Sequence, residues 1–94
     1  MTRTVWKIPV AVVDVQPLAV DHARILAVRA IGADPASDGL AVWVEVEPSD
    51  GISDTRTLYL AGTGHPLDPR ATTYVGTART GPFIWHAYTE EPNP

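Results

Sequence analysis

The sequence predicts a small all-β domain, an antiparallel sandwich or a partly open barrel of six to seven short strands. Three observations carry that prediction. Residues 40–47 alternate with a period of two, which marks a strand with one buried and one exposed face. Seven glycines and nine prolines are spaced along the chain as punctuation rather than gathered into a linker. No segment carries the apolar spacing of a convincing helix. The 94 residues suffice for one domain, expected over residues 1–90, with 91–94 as a flexible C-terminal end.

Thr4 to Val12 is β-branched and aromatic, but Pro9 cannot donate to a ladder, so this segment is expected to be an edge strand or a broken one. Pro17 to Val20 and Arg24 to Ile31 read as two strands around Asp21, His22 and Ala23. Asp34, Pro35, Ser37 and Asp38 make 32–39 a loop. In the next strand Leu40, Val42, Val44 and Val46 form the inward face, and Trp43 falls with Glu45 and Glu47 on the outer one. Pro48, Ser49, Asp50 and Gly51 predict a turn, and Thr55 to Ala61 a strand returning against the previous one as a hairpin. Tyr74 to Thr80 and Phe83 to Thr89, separated by Gly81 and Pro82, predict a second hairpin.

Composition narrows the function classes. There is no cysteine, which removes disulfides, thiol chemistry and cysteine-ligated zinc. No apolar run, Val10 to Val13 among them, approaches the roughly 20 residues of a membrane helix. No signal peptide is recognisable, so the chain reads as soluble and cytosolic. A net charge of −4 argues against general nucleic-acid binding. The charge is uneven: residues 33–54 hold six acids and no Lys or Arg, whereas 55–89 hold Arg56, Arg70 and Arg79 against Asp68 alone. A local cationic pocket is compatible with an acidic whole.

No nucleotide-loop or serine-hydrolase motif is present, and His22, His65 and His86 match no metal-ligand spacing. The chain is therefore expected to be no enzyme, with no metal and no cofactor. The most informative segment is Gly62-Thr63-Gly64-His65-Pro66. Two glycines within three residues let the backbone present successive N–H groups to an anion, and equally serve a tight bend. As an anion site it would comprise Thr63, Gly64 and His65, with Arg70 and Arg56 supplying charge. In Phe83-Ile84-Trp85-His86-Ala87-Tyr88 the aromatics fall on both faces of one strand; His86 and Tyr88 share a face and join the candidate ligand-binding residues.

Thr4-Val5-Trp6-Lys7-Ile8-Pro9, Ala23-Arg24-Ile25-Leu26, Gly62-Thr63-Gly64-His65-Pro66, Tyr74-Val75-Gly76-Thr77 and Phe83-Ile84-Trp85-His86 together span nearly the whole chain. In that order they resemble a family of small phage- and prophage-encoded proteins with no assigned biochemical function, with Ile8 where the family usually has Tyr. The resemblance implies a viral accessory protein in the host cytoplasm and brings no catalytic residues with it. Two functions are expected from these readings. The first is a homo-oligomeric sponge for a small anionic, nucleotide-type ligand of host defence. The second is a protein–protein module, either a virion component or an acidic inhibitor of a host protein that uses residues 33–54.

Overall fold

The structure, a computed structural model, describes residues 2–90. The expected flexible end, 91–94, lies outside the described residues. Strands make up 72% of the described chain, and one antiparallel sheet curls into a half-barrel, the partly open form of the expected architecture. The strands are β1 (Thr4–Val10), β2 (Val15–Ala33), β3 (Leu40–Gly62), β4 (Thr73–Thr80) and β5 (Phe83–Thr89).

The count is five rather than six or seven because two pairs of expected strands are continuous. β3 runs through Pro48–Gly51 instead of reversing there, so the expected hairpin between Leu40–Glu47 and Thr55–Ala61 does not form. Both halves of β3 pair with β2 instead. The register steps from Asp21 opposite Ser53 to Ala23 opposite Pro48, leaving His22 facing residues 49–52. His22 (φ 57°) and Gly51 (φ 77°) both adopt left-handed backbone at this irregularity. Turn-forming residues thus build a bulge, which bends a strand without ending it.

β3 is the organising strand. Its first half pairs with β1, from Thr4 opposite Val46 to Val10 opposite Leu40. The end of its second half pairs with β5, from Leu58 opposite Thr89 to Gly62 opposite Trp85. β2 follows the other edge of β3 for most of its length. β1 pairs with β3 alone, the edge position that Pro9 requires. The expected second hairpin forms as β4–β5, with Gly81 (φ 54°) at its turn.

The inward alternation holds. Leu40, Val42, Val44 and Val46 are buried together with Leu18, Ile25, Val28, Leu58 and Leu60 in one cluster. Each such aliphatic side chain contributes about 1.5–3 kcal/mol on full burial. Trp6, Ile8, Val10, Val75 and Trp85 pack against its rim. β4 approaches β2 across the open side: a Cβ on Gly76 would come within 3.3 Å of Ile31 Cγ2, so glycine permits the curl to close this far. Three of the six acids of 33–54 hold partners within the fold. Asp34 pairs with Lys7, and Glu45 pairs with both Arg3 and Arg29. Asp54 accepts from the Ile25 amide at 2.8 Å.

Candidate functional site

β3 ends at Gly62, and the next residues fold back over the outer face of the sheet. The amide of His65 donates to the Gly62 carbonyl at 3.0 Å, closing a tight turn with Gly64 (φ 86°) at its third position. The His65 amide is therefore committed to the bend. Gly64 takes a backbone conformation that other L-residues adopt only with strain, and a Cβ there would meet nothing within 4 Å, so conformation alone demands glycine.

The segment then covers Tyr59. This side chain points outward, between the inward Leu58 and Leu60, yet is only 1% exposed. Arg70 lies 5.7 Å over its ring, a cation–π contact. Arg70 is anchored by Asp68 in a bidentate pair, Nε to Oδ1 at 3.1 Å and Nη2 to Oδ2 at 3.0 Å. Those bonds hold the Asp68 carboxyl below its ordinary range and the Arg70 guanidinium above its own. Burial pushes the Tyr59 phenol up, against the opposing pull of Arg70. A cleft of about 390 Å³ runs beneath the returning segment, lined among others by Asp14, Tyr59, His65, Leu67 and Asp68.

The polar centre lies beside that cleft. His86 is placed by strand alternation on the outer face, because its neighbour Ala87 is fully buried in the core. Its Nε2 meets Thr63 Oγ1 at 2.8 Å and its Nδ1 meets Thr77 Oγ1 at 3.1 Å. The Thr77 hydroxyl also pairs with the Tyr74 phenol. A hydroxyl either donates or accepts, so both ring nitrogens stay satisfied whether the imidazole is neutral or protonated. Tyr88 continues the face, edge-on to Tyr74 with ring centroids 5.4 Å apart. Ala61, Gly62, Thr63, Gly64, His65, Leu67, His86 and Tyr88 surround a depression of about 160 Å³ that contains no carboxylate.

Five of the seven candidate residues therefore converge: Thr63, Gly64, His65, His86 and Tyr88. The two arginines do not line the depression. Arg70 is turned to Asp68 and Tyr59, and Arg56 donates from Nη2 to the Ile25 carbonyl at 3.1 Å on another part of the sheet. Thr77 and Leu67 were not among the candidates. Thr77 has a sequence signal: with a two-residue turn at Gly81-Pro82, counting outward from Thr80 opposite Phe83 places Thr77 opposite His86. Leu67 has none, since its place depends on how the loop returns. Among the described residues, no three His, Asp or Glu side chains are grouped to hold a metal ion.

No curated protein and no solved structure matches the chain. A family model does match, over residues 1–94, and its description is a domain of unknown function (DUF7352). The chain belongs to that family.

Proposed function

We propose that this protein is a non-enzymatic binding domain whose ligand places an anionic group in the depression between His65 and His86. One observation carries the reading: two imidazoles, the Thr63 hydroxyl and the exposed Thr63–Gly64 backbone line one recess that no carboxylate enters, on a protein of net charge −4. The His65 ring N–H and the Thr63 hydroxyl can donate to phosphate or carboxylate oxygens, and hydrogen bonds to a charged acceptor are the strong ones; His86, whose two ring nitrogens face Thr63 and Thr77, holds that hydroxyl in place. The His86 ring is pre-oriented by Thr63 and Thr77, so little rotamer freedom is lost on binding.

The likeness of the Gly62–Pro66, Tyr74–Thr77 and Phe83–His86 segments to small phage-encoded proteins supports a setting in the host cytoplasm, where such a domain sequesters a signal of host defence. Assembly into a homo-oligomer belongs to the same reading. β1 and β4 each pair on one side only, and Val5 on β1 and Tyr74 on β4 are exposed large hydrophobic residues. The alternative, capture of a host protein through the acids of 33–54, has less support because Asp34, Glu45 and Asp54 already hold partners inside the fold.

Isothermal titration with inorganic phosphate and pyrophosphate tests the reading. Saturable binding that His86→Ala and His65→Ala each weaken at least tenfold is the expected result. Absence of binding by either anion, or binding unchanged in both variants, rejects it.

A further inference from the structure

The depression is not isolated. A groove of about 340 Å³ opens at the end of the sheet, lined by Gly62, Thr63, His65, Pro82, Phe83, Ile84 and Trp85. It shares Gly62, Thr63 and His65 with the anion-binding recess, and is otherwise apolar and aromatic. Gly62 forms the floor between the two. A Cβ there would crowd His65 Nδ1 at 3.2 Å and touch Trp85 Cζ3 at 3.6 Å, so the backbone at Gly62 lies close to both rings.

The groove walls are suited to a flat ring. Phe83 is 62% exposed, unusually bare for a phenylalanine, and it stands in tilted contact with Trp85 at 6.3 Å between centroids. The Trp85 indole is fixed, its Nε1–H donating to Thr80 Oγ1 at 2.8 Å. Its position is therefore set before any ligand arrives. Apart from the shared His65, no ionisable side chain lines this groove. A site with an anion recess at one end and fixed aromatics at the other selects molecules with the same polarity.

We propose, building on the anion site above, that the ligand is a phosphorylated planar heterocycle of the nucleotide class, with its phosphoryl group between His65 and His86 and its ring in the Phe83–Trp85 groove. His65 stands at the junction, lining both compartments.

The test compares adenosine 5′-monophosphate with ribose 5-phosphate by isothermal titration, against wild type, Phe83→Ala and Phe83→Tyr. The ring-bearing probe is expected to bind about tenfold tighter than the sugar phosphate, the size of a single base-stacking contribution. Phe83→Ala removes most of that difference and Phe83→Tyr retains it. Phe83 is exposed, and a thermal melt of each variant confirms folding. Equal affinity for the two probes, or an affinity ratio untouched by Phe83→Ala, overturns the placement of the ring while the anion site stands. If neither these probes nor inorganic phosphate binds, the anion site itself fails and the ring inference fails with it.

Discussion

Lys7 Nζ and Asp34 Oδ1 meet at 2.9 Å, tying the edge strand β1 to the loop that joins β2 and β3. Asp34 is 4% exposed and does more than pair. It accepts from the Ala36 amide at 3.0 Å and from Ser37 Oγ at 3.1 Å, so one carboxylate organises the connection between the two longest strands. The Ala36 amide and then Lys7 hold its carboxyl below the ordinary carboxylate range.

The sign of the resulting pH dependence follows. A carboxyl whose folded pKa is depressed contributes stability above its unfolded pKa, and that contribution fades as pH falls toward the folded value. Thermal unfolding of the wild type should lose melting temperature below about pH 4. Asp34→Asn should melt lower at neutral pH and show a flatter acid limb. An acid limb unchanged by Asp34→Asn would assign the effect to other carboxylates.

Thr77→Val keeps shape but removes the hydroxyl between His86 and Tyr74. The expected loss of stability is about 1–2 kcal/mol, for two hydrogen bonds at an exposed site. Phosphate affinity should fall as well, although Thr77 does not line the recess, because the imidazole loses one of its two anchors. Thr77→Ser should restore both. Chemical denaturation and titration calorimetry read the two effects separately.

Gly64→Ala should cost about 1–2 kcal/mol, the penalty for left-handed backbone at a residue with a Cβ. Gly64→Asn should cost less, since asparagine tolerates that region. The side chain has room, so a clash cannot explain a loss. Urea unfolding of the two variants measures the difference.

Leu58→Ala should destabilise by about 2–5 kcal/mol, the range for a buried leucine that leaves a cavity. Gly76→Val should cost about 1–3 kcal/mol by forcing β4 away from Ile31. Urea unfolding of each variant measures the two losses.

Much of the fold is legible in the residues themselves. The alternation of Leu40 to Val46, the edge position forced by Pro9 and the Gly81-Pro82 turn are local signals, and each appears where local chemistry puts it. The continuity of β3 is not local. Pro48, Ser49, Asp50 and Gly51 have turn chemistry in either outcome, and pairing with β2 decides that the chain bulges instead of reversing. The site divides in the same way. His86 and Tyr88 share a face by alternation, and Thr63 to His65 follow one strand end. The alignment of Arg70 with Asp68 could not be read, because two residues of loop spacing do not say which way a guanidinium turns.

The unequal reach of β3 has a consequence for assembly order. Its ladder with β2 starts at Ala33 opposite Leu40, where the connecting loop is shortest, and ends at Val15 opposite Tyr59, where the intervening chain is longest. Closure entropy favours zipping from the Asp34 end. Tyr59, and the segment that later lies over it, are reached last. Nascent chains should therefore own the β2–β3 ladder before the outer face around His86, whose contacts to Thr63 and Thr77 wait for the C-terminal hairpin to be made.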